Sequence, residues 1–206
     1  MTTITLNSGF FSQRSPADWA FAVLTALGMV YAFSQYQSAM DVYEQGILVA
    51  SVPAVVWLGW FWRPLRQLML GVSALALLAI YAYQGDLARS EDVFVLKYFL
   101  SSQSAILWMS MLIFISTVFY WGGMMLPSQS HSLESLGSRI AWAAVTLALV
   151  GTLVRWYESY LIGADVGHIP VSNLYEVFVL FCWLTTTFYL YYEAQYRTRS
   201  LGAFVM

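Results

Sequence analysis

Side chains that could do chemistry are concentrated in one short stretch of the sequence. Arg155 and Glu158 stand three positions apart, so on a helix their side chains share one face. A denser run of polar and conformationally special residues follows, namely Gly167, His168, Pro170, Ser172, Asn173, Tyr175 and Glu176. An imidazole, a guanidinium and two carboxylates this close together can bind a metal, bind an anion or simply pair with one another.

His168 and Arg155 each allow a structural and a functional interpretation. A lone histidine such as His168 is more often an ordinary loop residue, although heme iron takes a histidine ligand in many proteins. Arg155 could form only a local ion pair with Glu158, or its guanidinium could bind an anionic group such as a heme propionate. Ionisable residues at membrane depth are functional candidates by default, but Arg155 lies near the end of its predicted span, where that default is weaker.

Asn173 and Glu176 also have a structural interpretation. Asn is a preferred N-cap, and Glu176 falls at the third position of the helix that would follow it. This is the spacing of a capping box, and a carboxylate in the first turn complements the helix dipole. We therefore expect Asn173 to precede a helix, which does not exclude a binding role for either residue.

The chain that carries these residues has the composition of a membrane protein. Of its 206 residues, 60% are hydrophobic and only 10% are charged, and the mean hydropathy is +0.65. A soluble domain averages roughly 25% charged and 45–50% apolar residues, so it could not keep this much apolar surface from water. Because no alternating strand pattern is visible, the sequence predicts an all-α polytopic transmembrane helix bundle.

Six segments reach, or nearly reach, the length and apolar character needed to cross a bilayer, which takes about 20 mostly apolar residues. They are 18–36, 46–62, 65–83, 104–125, 140–160 and 173–192. The mixed segment 93–103 is predicted to be an interfacial helix with a snorkelling Lys97. Together these segments predict a single membrane domain over residues 1–206. Cys182, in the middle of the sixth span, is expected to be a small buried hydrophobe.

The basic residues indicate an orientation for the chain. One side of the predicted spans carries six of them: Arg14, Arg63, Arg66, Arg139, Arg197 and Arg199. The other side carries Arg89, Lys97 and Arg155. The positive-inside rule therefore predicts that both termini are cytoplasmic and that the loop before the sixth span is outside.

Several function classes are disfavoured by the composition. One cysteine permits no intrachain disulfide, and two histidines without a CxxC motif speak against a built-in zinc site. A net charge of −2 with scattered basic residues speaks against a nucleic-acid partner. Most predicted spans lack midplane charges and no inverted repeat is visible, so a small-solute transporter ranks far below the other interpretations.

The segment 155–183 resembles the CcsA/ResC family, called CcsB in many proteobacteria, of the System II cytochrome c maturation pathway. The matching residues are Arg155 and the run Gly167, His168, Pro170, Ser172, Asn173, Tyr175 and Glu176. The resemblance implies a multi-pass protein of the bacterial inner membrane that handles heme and presents it at the outer face for attachment to apocytochrome c. It also implies a ResB-like membrane partner, and it makes His168 and Arg155 the candidate heme contacts.

The sequence departs from the family in one respect. The family signature is a tryptophan-rich segment of the form WGxxWxWD, which lies C-terminal to the matching motif and does not occur in these 206 residues. We therefore expect the chain to be the N-terminal part of a longer protein and assign it no catalytic residue, although the resemblance places it within a cytochrome c synthase complex. The alternative function is a non-catalytic membrane scaffold or assembly partner.

Overall fold

The computed structural model describes residues 11, 13–37, 42–163 and 165–206, and this part of the chain is helical without a strand. The α-helices are α1 Pro16–Tyr36, α2 Val42–Phe61, α3 Arg63–Tyr83, α4 Arg89–Asp92, α5 Ser102–Met125, α6 Ser130–Ile162, α7 Leu174–Tyr196 and α8 Gly202–Val205. A π-helical turn at Leu96–Leu100 precedes α5, and a 3-10 turn at Pro127–Gln129 precedes α6.

Five helices, α1, α3, α5, α6 and α7, are long and apolar enough to cross a membrane, and α2 contains the shorter apolar segment Gln45–Phe61. The prediction of an all-α polytopic protein with about six spans is confirmed. The chain separates into two compact units, one up to Gln67 and one from Leu68 onward.

The first unit is organised by the start of α1. Ser15 caps this helix in a capping box with Asp18, whose side chain accepts a hydrogen bond from the Ser15 backbone at 2.7 Å. The Asp18 carboxylate is buried and pairs with the guanidinium of Arg66. Arg66 also donates through Nε to the carbonyl of Gly59 at 2.7 Å, and Trp60 donates to the carbonyl of Asp18 at 2.9 Å. These hydrogen bonds connect the start of α1 to the end of α2.

The second unit is built around the long contact between α5 and α6. Small residues let the two helices approach closely: Ala105, Ala144 and Ala148 are fully buried, and a Cβ added to Gly151 would lie 2.9 Å from Ile106 Cγ1. Helix α7 packs on α6, where Val179 joins Ile106, Met109 and Ala148 in one apolar cluster. This packing fixes the end of α6 against the start of α7.

Helix α6 is longer than the sequence indicated. The predicted spans 104–125 and 140–160 leave residues 127–139 between them as a polar loop, but most of this segment is the first part of α6, and His131 lies in the first turn of that helix. Residues 130–139 contain no proline, and α5 holds this part of α6, since Ser116 Oγ donates to the Gly137 carbonyl at 2.8 Å. The expectation failed because a polar segment was taken for a loop.

The predicted interfacial helix over residues 93–103 is wrong in form. The helical conformation is interrupted at Ser101, whose backbone is extended (φ −62°, ψ 153°). The Ser101 side chain accepts from the Ser104 N–H at the start of α5. Before the break, Leu96 and Leu100 are buried while Lys97 is exposed and pairs with Glu91 at 3.6 Å. The amphipathic character was correct, but a capping serine divides the segment.

Cys182 is exposed, contrary to expectation. The face of α7 turned toward protein follows a 3–4 spacing through Glu176, Val179, Trp183, Thr186, Leu190 and Glu193, most of which are buried. Cys182 lies beside this stripe, on the side that a bilayer would cover.

Candidate functional site

The candidate site lies where α6 ends, the connecting loop turns and α7 begins. The N-cap role of Asn173 is confirmed, because its Oδ1 accepts the Glu176 N–H at 2.9 Å. The Glu176 side chain does not complete the capping box on Asn173. It bonds instead to the residue before Asn173, accepting from the Ser172 N–H and the Ser172 hydroxyl, both at 3.0 Å. The carboxylate is thereby held against the loop.

Glu176 connects the other polar residues of the site. Its side chain is buried, and Arg155 Nε lies 3.5 Å from Oε1. His168 Nε2 lies 3.7 Å from Oε2. The two partners are much more exposed than the carboxylate, with side chains 35% exposed for Arg155 and 37% for His168. One buried carboxylate thus positions a cation and an imidazole on the surface.

The imidazole of His168 is fixed at both ring nitrogens. Nδ1 lies 2.6 Å from the Val166 carbonyl, which can only accept, so Nδ1 carries a proton and donates. Nε2 lies 2.6 Å from the hydroxyl of Ser172. The backbone N–H of His168 donates to the hydroxyl of Ser159 at 3.3 Å, which attaches the loop to α6. The ring orientation is therefore set by the protein.

Arg155 and Glu158 do not form the local pair that their spacing allowed. Glu158 is buried and turns toward α3 and α5, where its carboxylate accepts from the Tyr83 hydroxyl at 2.5 Å. It also accepts from the Ser102 N–H at 3.0 Å and the Ser102 hydroxyl at 2.5 Å. Arg155 is left to pair with Glu176 on the neighbouring helix.

The remaining motif residues shape the loop and its surface. A Cβ added to Gly167 would lie 2.3 Å from the ring of Tyr160, so the loop approaches α6 more closely than any other residue would allow. Pro170 and Tyr175 line a small recess beside Arg155 and Glu176, with a volume of about 10 Å³. That volume holds about one water molecule. A large planar ligand would therefore contact the exposed side of the cluster.

Sequence reasoning missed Ser159, Tyr83 and Ser102. Ser159 carries no motif signal, and Tyr83 and Ser102 are 75 and 56 positions from the Glu158 that they contact. Glu158 itself could be found from the sequence, because an ionisable residue near membrane depth costs free energy unless it has partners. Among the described residues, no group of three or more His, Cys, Asp or Glu could hold a metal ion.

Part of the chain is similar to known proteins. The cytochrome c biogenesis protein CcsA of Chlorella vulgaris is 34% identical over 98 residues, which is 45% of this chain and 27% of that protein. The proteins of the same name from Nostoc punctiforme and Pinus thunbergii are 34% and 35% identical over 93 and 94 residues. Over about 45% of its length, this chain is similar to several CcsA proteins at 30–35% identity.

This similarity is to the family that the motif residues resemble. No family model matches the chain, and no solved structure matches it significantly. The chain spans about a quarter of the length of the CcsA relatives, since the matched part is 27%, 24% and 26% of the three proteins. What a complete CcsA protein does is therefore treated below as a proposal for this chain.

Proposed function

We propose that this chain is part of a membrane subunit of c-type cytochrome biogenesis that handles heme for covalent attachment to apocytochrome c. The similarity to cytochrome c biogenesis proteins and the polar cluster at the start of α7 support this function. When bound, heme supplies the vinyl groups that form thioethers with the apocytochrome thiols. The residues of this chain would bind and orient it.

The single observation that carries the proposal is the shared carboxylate of Glu176. It pairs with the guanidinium of Arg155 and contacts the imidazole of His168 through the hydroxyl of Ser172, and both groups reach one exposed surface. Heme needs both chemistries, because its iron takes an imidazole nitrogen and its propionates are anionic. Arg155 pairs with Glu176 through Nε. The two terminal nitrogens of Arg155 have no hydrogen bond within the described residues. These nitrogens are the donors available to a propionate.

The donor set of His168 fits an iron ligand. A ring that donates Nδ1–H to a backbone carbonyl presents Nε2 as the coordinating atom, the arrangement that metal-binding histidines commonly use. The recess beside Arg155 is too small for a porphyrin, so the macrocycle would lie against the exposed face of the loop and α7. Exposed Tyr175 and Ile169 provide apolar surface there.

Localisation and partners follow from the same proposal. The basic residues favour cytoplasmic termini, which places the α6–α7 loop at the outer face of a bacterial inner membrane. A ResB-like membrane protein and apocytochrome c would meet heme on that side. A site at the surface, rather than in an enclosed cavity, suits a protein that passes heme on.

The test is a heme spectrum of the complete gene product that contains this sequence, purified in detergent. His168→Ala is expected to shift or abolish the Soret band and to lower cytochrome c maturation, while the protein still inserts in the membrane. His131→Ala, at the start of α6, is the matched control and should change neither. An unchanged Soret band in the His168 variant would contradict the assignment of this ligand.

A non-catalytic scaffold is the second candidate. It is favoured by the engagement of both His168 nitrogens and by the small recess, which together describe a well-packed structural loop. On this alternative, His168→Ala would leave heme binding intact and weaken only the association with a partner subunit. Co-purification of the partner with the variant separates the two functions.

A further inference from the structure

The hydroxyl of Ser172 lies against the nitrogen of His168 that an iron ligand would use. Ser172 Oγ is 2.6 Å from Nε2, and the same oxygen is 3.0 Å from Oε2 of Glu176. A hydroxyl has one proton to donate, so it serves only one of these two acceptors at a time. The three side chains therefore have two alternative hydrogen-bond arrangements.

In the first arrangement Ser172 donates to Nε2. The ring of His168 is neutral with its proton on Nδ1, and Nε2 is blocked by the hydroxyl. In the second arrangement the hydroxyl donates to Oε2 of Glu176, and the Nε2 lone pair is available. Ser172 keeps a hydrogen bond in both arrangements, so its hydroxyl donor stays satisfied, and the hydrogen bond that Nε2 loses is replaced by the bond to iron.

We propose that Ser172 is a positioning residue that occupies the iron-binding nitrogen of His168 and withdraws to Glu176 when heme binds. This inference rests on the proposed function and deepens it. The contact holds the heme-free imidazole in its binding orientation, and it competes with iron for Nε2. It therefore weakens heme binding at a site whose task is to release heme.

The contact also explains why the Glu176 carboxylate accepts from Ser172, the residue before the N-cap, instead of completing a capping box on Asn173. By accepting the Ser172 N–H at 3.0 Å, the carboxylate keeps the serine backbone in place in both arrangements. The backbone stays in place while the hydroxyl turns away from Nε2. Glu176 is thus the alternative acceptor that makes the exchange possible.

The first experiment examines the heme-free, complete gene product with diethyl pyrocarbonate, which acylates an unprotonated and accessible imidazole nitrogen. Modification of His168, followed by mass spectrometry, is expected to be several-fold faster in Ser172→Ala than in the unmodified protein. Ser172→Thr retains the hydroxyl and is the matched control, with modification at the original rate. Equal modification rates in all three proteins would overturn the inference, and this measurement needs no heme.

The second experiment measures heme release from the same proteins to excess apomyoglobin. Loss of one competing hydrogen bond is expected to slow release from Ser172→Ala by about two- to tenfold, with Ser172→Thr unchanged. If His168→Ala abolishes the Soret band but Ser172→Ala releases heme at the original rate, only the inference about Ser172 fails. If His168→Ala leaves the band unchanged, the assignment of His168 as a heme ligand and the inference about Ser172 fail together.

Discussion

Two buried carboxylates, on neighbouring helices of the second unit, have opposite surroundings. Glu158 accepts three hydrogen bonds of 2.5–3.0 Å from Tyr83 and Ser102. Both of these donors are themselves buried. Glu176 accepts from Ser172 at 3.0 Å, but Arg155 and the imidazole of His168 lie at 3.5 and 3.7 Å from it and are about a third exposed.

The difference separates a structural from a binding role. The Glu158 carboxylate and its donors satisfy one another inside the protein, so the group joins α6 to α3 and to the broken start of α5. The Glu176 carboxylate is equally buried, yet the groups that it holds still have hydrogen-bonding capacity at the surface. The residues around Glu176 can therefore bind something else without breaking the fold, whereas those around Glu158 cannot.

The largest effect is expected from Glu158→Ala. It leaves the Tyr83 hydroxyl and both Ser102 donors without an acceptor, and each such group costs about 1–3 kcal/mol when buried. We expect a loss of about 3 kcal/mol or more in the free energy of unfolding. The measurement is the thermal midpoint of the detergent-solubilised protein.

Glu91→Ala is the control for that variant, because Glu91 is exposed and pairs with Lys97 only at 3.6 Å. A surface pair of this kind contributes about 0–1 kcal/mol. Equal thermal midpoints for the two variants would show that Glu158 is no more structural than a surface residue, and the comparison with Glu176 would lose its basis.

Glu176→Gln should affect binding more than stability. The amide oxygen can still accept the Ser172 N–H, so we expect a loss of only about 1 kcal/mol in unfolding free energy. Removing the charge releases Arg155 and His168 from their common partner, and heme affinity should fall about tenfold, the equivalent of one charged hydrogen bond. Heme titration and thermal melting of the same samples give the two values.

Glu134→Gln is the matched control, since Glu134 lies on α6 and accepts the Ser130 hydroxyl at 2.9 Å, away from the site. It should leave heme affinity unchanged. Should Glu176→Gln lower the thermal midpoint as far as Glu158→Ala and leave heme affinity intact, the two carboxylates would have the same structural role.

The sequence was sufficient for the parts of the molecule that depend on local pattern. Long apolar segments predicted the helices, Asn173 predicted the start of α7, and the site residues lie within 22 positions of one another along the chain. What brings Glu158 to Tyr83 and Ser102 is the packing of distant helices, which no local periodicity encodes. The preference of Arg155 for Glu176 over Glu158 follows from that same packing.

The most conservative change, and the sharpest test of the Glu158 half of the comparison, is Tyr83→Phe. Only the hydroxyl is removed, from a fully buried ring whose oxygen lies 2.5 Å from Glu158 Oε1. Ser102 still donates twice to the carboxylate, so the expected loss is about 1–2 kcal/mol, less than for Glu158→Ala. Heme affinity should not change, because the Glu176 cluster shares no hydrogen bond with Tyr83.

Tyr81→Phe, on the same helix but 75% exposed, is the control and should melt like the unmodified protein. A fall in heme affinity in Tyr83→Phe would instead couple the two carboxylates through α6, and they would have to be treated as one network.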